Sequence, residues 1–247
     1  MEMSLAPENT DAVLLCGGKG SRLAPLTQSL PKPLLFVGER PFLFYLLQNL
    51  RRQGFRRFIL ATHHLSEKFT DFLDDHHEFV PQTVVVFEPE PLGTGGALRH
   101  AAAFVRSPVF VALNGDSFIP QPLGPVLSSH VRAGNAFTMV AARAENVIGG
   151  VAGKGALEFG PTGELKGLST GDRNRQWVNA GVYVLDRDLV SSWPAGCYDL
   201  ERNLKNLLGQ RKGCVFFSPS RLLDIGTPEC FAEAKQMREF FVPEVTS

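Results

Sequence analysis

Val13-Leu14-Leu15-Cys16-Gly17-Gly18-Lys19-Gly20-Ser21-Arg22-Leu23, followed at 31–33 by Pro-Lys-Pro, decides how the rest of the chain is read. A short apolar run enters a loop with three glycines in four residues, and two cations bracket it at Arg22 and Lys32. Glycine keeps side chains out of a ligand's way and admits positive φ, so successive backbone N–H groups can turn toward one point. Such a loop after a strand, with cations near it, suits an anion as large as a triphosphate. Two better-known phosphate loops do not fit. The dinucleotide fingerprint G-x-G-x-x-G would start at Gly18 but ends on Leu23, and the P-loop's Gly-Lys-Ser/Thr is broken because Gly20 follows Lys19.

Working outward, residues 11–16 read as a strand apolar on both faces, as in a buried parallel sheet. Pro31 and Pro33 are expected to hold Lys32 in an extended segment. Pro41–Gln53 is apolar at helical spacing and ends before Gly54. Strands are expected at 58–61, 83–87 and 109–113, with helices at 66–75 and from about Ala97 to Val105. Four strand–helix alternations in the first 120 residues argue for an α/β fold with a doubly wound, Rossmann-like, mostly parallel sheet.

The second half is less regular. Helices are expected at 122–133, 200–208 and 228–240, and strands at 137–142, 177–185 and 215–217. Glycine recurs seven times between Gly149 and Gly167, which suggests twisted antiparallel hairpins. No clean linker is visible. The chain is read as one domain over 1–247, with a nucleotide-binding half at 11–120 and a second half at 121–247 that packs on it as a small antiparallel lid.

With 25 basic and 25 acidic residues the chain carries no net charge, so neither a nucleic-acid footprint nor an acidic tail is present. Cys16, Cys197, Cys214 and Cys230 have no C-x-x-C spacing, which argues against a zinc site or a disulfide framework and for reduced thiols. No apolar run approaches the ~20 residues that span a bilayer, and the N-terminus lacks a signal-peptide core. A cytoplasmic protein without a membrane partner is expected, and a homo-oligomer is compatible with the sequence.

Asp116 directly follows a buried strand, and ligands of open α/β sheets bind outside the strands' carboxyl ends. Asp224, about 110 residues later, is the second candidate carboxylate. Hard oxygen donors suit Mg²⁺, which takes one or two carboxylates and completes its shell with phosphate oxygens and water. Leu92-Gly93-Thr94-Gly95-Gly96 is a second glycine-rich stretch, where a flat ring could lie against main chain. Glu88, just upstream, could accept from guanine's N1–H and N2–H₂ together, whereas uracil and thymine offer a single N–H on that edge. The adjacent pairs His63-His64 and His76-His77 point in divergent directions and are read as solvated or partly packed.

Together these stretches resemble the sugar-1-phosphate nucleotidyltransferase family. The matches are L-C-G-G-K-G-S-R-L at 15–23, P-K-P at 31–33, L-G-T-G-G-A at 92–97, L-N-G-D at 113–116, N-A-G-V-Y at 179–183 and D-I-G-T-P-E at 224–229, in the family's order. Within that family the chain is similar to the short guanylyltransferases acting on D-glycero-α-D-manno-heptose 1-phosphate. The resemblance implies attack of a sugar 1-phosphate on the α-phosphorus of GTP or another NTP, with pyrophosphate leaving. It implies nucleotide contacts from Leu15, Gly17, Gly18, Gly20, Glu88, Gly93, Thr94 and Asn114, and sugar contacts from Gly115, Asn179, Ala180 and Gly181. Arg22 would grip the leaving phosphates, Lys32 would serve the α-phosphate, and Asp116 and Asp224 would hold Mg²⁺. Many relatives carry Glu-Lys about ten residues before Asn-Ala-Gly. This chain has Leu168-Ser169-Thr170-Gly171-Asp172-Arg173 there, leaving Lys166, Arg173 and Arg175 as candidate replacements. Two other readings are a uridylyl- or thymidylyltransferase on another hexose or amino-sugar 1-phosphate, and a non-catalytic nucleotide-sugar-binding regulatory module.

Overall fold

The computed structural model describes residues 5–151, 155–169, 176–208 and 212–241. In chain order its strands are β1 (Asp11–Leu15), β2 (Phe36–Val37), β3 (Arg40–Pro41), β4 (Phe58–Thr62), β5 (Thr83–Phe87), β6 (Val109–Asn114) and β7 (Ser117–Phe118). They continue with β8 (Phe137–Arg143), β9 (Val147–Ile148), β10 (Ala156–Phe159), β11 (Leu165–Ser169), β12 (Trp177–Asp186), β13 (Gly213–Ser218) and β14 (Leu222–Asp224). The helices are α1 (Phe42–Arg52), α2 (Glu67–Asp75), α3 (Gly93–Ala102), α4 (Leu123–Arg132), α5 (Arg187–Ser191), α6 (Leu200–Leu207) and α7 (Pro228–Gln236).

The central sheet runs β5-β4-β1-β6-β12-β10-β11, with β8 also on β12 and β13 on β8. Strands β5, β4, β1 and β6 are mutually parallel, so their carboxyl ends open on one edge. Strand β12 enters antiparallel beside β6, which carries the second half of the chain into the same sheet. Alternation of side chains puts Ala12 and Leu14 on one face and Val13 on the other. The first face packs on α1 through Leu43, Leu46, Leu47 and Leu50, and the second on α3 and α6 through Leu98, Ala101, Leu200 and Leu204. Burial on both faces is why the strands read as unbroken apolar runs. Each of these leucines is at most 2% exposed, and such burial is worth ~2–3 kcal/mol per side chain.

Four local expectations are corrected. Lys32–Leu34 is a 3-10 turn rather than an extended segment, closed by Leu34 N–H to Pro31 C=O (2.8 Å) and Leu35 N–H to Lys32 C=O (3.1 Å). Pro33 sits at an early turn position that requires no N–H, so it permits the turn. Helix α3 starts at Gly93, not Ala97, and takes the glycines into its first turn. Of the expected hairpins, β10 and β11 form one, whereas β9 joins β14 in parallel in a separate three-stranded sheet with β7. Helix α7 stops at Gln236, and a 3-10 turn at Arg238–Phe241 follows.

Candidate active site

The carboxyl ends of β1, β4, β5 and β6 enclose a cavity of about 390 Å³, within the range of small-molecule sites. Leu15, Gly17, Gly18, Lys32, Glu88, Gly93, Thr94, Asn114 and Asp116 line it, together with Lys19 and His63. A second cavity of about 320 Å³ adjoins it, lined by Arg22, Asn179, Glu201 and Asp224 among others. Asn114 and Asp116 belong to both.

At this seam the Lys32 ammonium sits 2.8 Å from Asp116 Oδ2. Ser117 Oγ lies 3.4 Å from Asp116 Oδ1 and 3.1 Å from Asp224 Oδ2, because β7 and β14 pair Ser117 with Asp224. Two carboxylates 108 positions apart in the chain thus reach the same hydroxyl. Among the described residues no cluster of three or more His, Cys, Asp or Glu side chains could hold a metal unaided. A pair of carboxylates beside two open cavities instead fits Mg²⁺, whose remaining ligands come from phosphate and water.

Glu88 is 3% exposed, and its Oε1 is buried with no hydrogen-bond partner. Leu92 N–H points at Oε2 from 3.4 Å. Burial holds the carboxyl above its usual range, offset by the Leu92 amide and by His63. A Cβ on Gly17 would stand 2.9 Å from Glu88 Oε1 and 3.3 Å from His63 Cβ, so Gly17 makes room for this pair. His63 Nδ1 is 2.9 Å from the Glu88 carbonyl oxygen. Sequence reasoning left His63 as a packed or solvated residue, although its place directly after β4 put it at the ligand-binding edge. Cys16, also on the first cavity, is held well above the ordinary thiol range by burial and then by Asp116 and Glu88.

Several other expected residues lie elsewhere or do other work. Gly20 and Arg22 are absent from the first cavity's lining, and Arg22 faces the second. Ala180 is fully buried in the core, while Gly115 packs against Leu15 and Pro33. Gly93 and Gly95 pass against the backbone and ring of Tyr198, and a Cβ on Gly96 would collide with the Gly196 carbonyl. They make room for another stretch of the chain. The Thr94 hydroxyl accepts from Leu200 N–H at 2.8 Å and so caps α6. Lys166 lies 3.7 Å from Glu164 at an exposed position, and Arg173 and Arg175 are outside the described residues.

A family model described as nucleotidyl transferase matches residues 11–239. The chain belongs to the nucleotidyl transferase family. It is 32% identical over 236 residues to a mannose-1-phosphate guanylyltransferase of Mycobacterium tuberculosis, covering 92% of this chain but 64% of that protein. It is 28% identical to the D-glycero-alpha-D-manno-heptose 1-phosphate guanylyltransferase of Campylobacter jejuni, covering 88% and 95% of the two chains. The crystal structure of HddC from Yersinia pseudotuberculosis complexed with GMP-PN superposes with a TM-score of 0.81 at 24% identity, over 92% of this chain and 98% of that one. A UDP-glucose pyrophosphorylase complexed with UDP-glucose gives 0.76 at 16% identity. Both share the family's fold, an α/β architecture around one large, mostly parallel sheet. Among the described residues no helix is long and apolar enough to cross a membrane.

Proposed function

We propose that this chain transfers a guanylyl group from GTP to D-glycero-α-D-manno-heptose 1-phosphate, giving a GDP-sugar and pyrophosphate. The observation that carries the reading is the pair of cavities meeting at Asn114 and Asp116, with the Lys32 ammonium at the seam. The nucleotide occupies the first and the sugar 1-phosphate the second, so the α-phosphorus and the attacking oxygen come together beside Lys32. That oxygen is already anionic, so positioning and charge neutralisation supply the catalysis. Asp116 and Asp224 would hold Mg²⁺, which when bound neutralises phosphate charge. Lys32 stabilises charge developing on the α-phosphoryl group. Backbone amides of Gly17 and Gly18 line the nucleotide's path. Arg22 is exposed on the second cavity with Asp224, and in this reading its guanidinium grips the leaving phosphates.

Guanine is favoured by the buried Glu88 oxygen without a partner, since a carboxylate matches two adjacent N–H donors. The heptose substrate is favoured by the near full-length match to heptose 1-phosphate guanylyltransferases. Mannose 1-phosphate is the second reading, favoured by the 32% identity to the mycobacterial relative. A cytoplasmic reaction belongs to the same reading, and the lack of a long apolar helix among the described residues is compatible with it. Pyrophosphate release from each of four NTPs, with Mg²⁺ and a panel of sugar 1-phosphates, tests the proposal. Turnover with UTP or dTTP but not GTP would sink the guanine assignment. Nucleotide binding without turnover on any sugar 1-phosphate would leave the non-catalytic module.

A further inference from the structure

Strand β12 is irregular where it passes the second cavity. Asn179 pairs with Ala141 and Tyr183 with Met139 on β8, so a step of four residues on β12 spans a step of two on its partner. The two extra residues form a bulge, a device that re-aims side chains beside functional sites. Gly181 within it has φ +72°, and a Cβ there would stand 2.8 Å from Asn114 Nδ2.

The bulge turns Asn179 inward, toward its own backbone. Asn179 Oδ1 accepts from Gly181 N–H at 2.9 Å, and Nδ2 donates to the Tyr183 hydroxyl at 2.6 Å and to Glu201 Oε1 at 3.1 Å. Both of its N–H donors are therefore spent within the protein. Tyr183 is fully buried and donates its own proton to Glu201 Oε1 at 2.7 Å. Burial, and next the Glu201 carboxylate, push the phenol well above its ordinary range, so it stays a donor. Glu201 lines the cavity from the first turn of α6, and among the described residues its Oε2 makes no hydrogen bond.

We propose that Glu201, rather than Asn179, reads a hydroxyl of the sugar, and that Tyr183 and Asn179 are positioning residues that hold its carboxylate. The inference rests on the second cavity being the sugar site. A carboxylate is acceptor-only and carries negative charge, so it suits a sugar O–H and repels a phosphate. Its oxygen Oε1 is fixed by two donors, which aims the remaining oxygen without further loss of side-chain freedom.

The test uses the sugar 1-phosphate that the wild type turns over, together with its monodeoxy analogues. Glu201→Ala is expected to raise KM for the sugar 1-phosphate about tenfold or more and leave KM for GTP within about twofold. One deoxygenation should cost the wild type about tenfold in kcat/KM and cost the variant almost nothing, with the other analogues affected equally in both enzymes. Tyr183→Phe should raise the sugar KM severalfold in the wild type and add nothing in the Glu201→Ala background, an interaction that a general packing defect would not show. Should Glu201→Ala fold poorly, Glu201→Met fills the same volume with no carboxylate and is read the same way. An unchanged sugar KM overturns the proposal, as do equal rises for sugar and GTP, or equal deoxy penalties in both enzymes. Absence of wild-type turnover on every sugar 1-phosphate overturns the parent reading and this one with it, whereas wild-type turnover with an unaffected variant overturns this one alone.

Discussion

Glu88→Gln isolates the guanine assignment, because it changes one buried acceptor into a donor without altering size. In the unliganded protein Glu88 Oε1 has no partner, and Oε2 has only the long contact to Leu92 N–H. Guanine's N1–H and N2–H₂ would supply two hydrogen bonds to a charged group, worth ~1.5–3 kcal/mol each. Glutamine keeps one acceptor and presents an N–H to the other donor, so one bond is lost and a buried mismatch of ~1–3 kcal/mol is added. The expected loss with GTP is therefore ~2.5–6 kcal/mol, or about 10²–10⁴-fold in kcat/KM. UTP offers a single N–H flanked by carbonyls, which an amide can meet, so its turnover should hold or rise. Inosine triphosphate lacks N2–H₂. Wild type should discriminate against it by the value of one bond, and the Gln variant should reverse that preference, since the mismatch with N2–H₂ is absent in inosine. Steady-state kinetics on the three nucleotides at fixed sugar 1-phosphate is the assay. A GTP kcat/KM within threefold of wild type, or the same loss with every nucleotide, would refute the hydrogen-bond reasoning.

The same carboxyl predicts a pH dependence. Its folded pKa is raised above 4.5, so its contribution to stability is complete below that value and is lost as pH rises through the raised one. The unliganded wild type should lose thermal stability across that window, and Glu88→Gln should lack the slope. GTP affinity should run the other way and fall as pH drops through the raised pKa, which titration calorimetry at several pH values can read. Lys32→Ala removes the ammonium at the seam; kcat should fall by about 10²–10³-fold while GTP affinity changes only severalfold, measured by single-turnover and binding assays. Gly96→Ala drives a methyl into the Gly196 carbonyl, and a loss of ~1–3 kcal/mol or more should appear in chemical denaturation.

Many of the strands and helices of residues 11–120 were legible because those strands are buried on both faces and interrupted by glycine. The place of Asp116 at the cavity edge was legible because it lies two residues past the end of β6, and the position of a strand's carboxyl end is a sequence property. The purpose of the glycines at 93–96 was not. Sequence does not distinguish a glycine that admits a ligand from one that admits Tyr198, whose approach depends on packing 105 residues later. His63 and Glu201 were missed for related reasons. A histidine beside another histidine carries no directional signal, and Glu201 reaches the second cavity only because α6 docks against α3 through Thr94. The bulge in β12 depends on register with β8, a relation between strands rather than a property of either one.

Asn114 and Asp116 form a common wall between the two cavities, and that wall has a kinetic consequence. A nucleotide and a sugar phosphate each give up their own translational freedom on entering. The joined GDP-sugar would touch both sides as one molecule and give it up once. Product should therefore bind more tightly than either half, and its departure should become the slow event of the cycle. The reverse reaction, started from the GDP-sugar and pyrophosphate, should saturate at a lower concentration of the sugar nucleotide than the forward reaction needs of the sugar 1-phosphate.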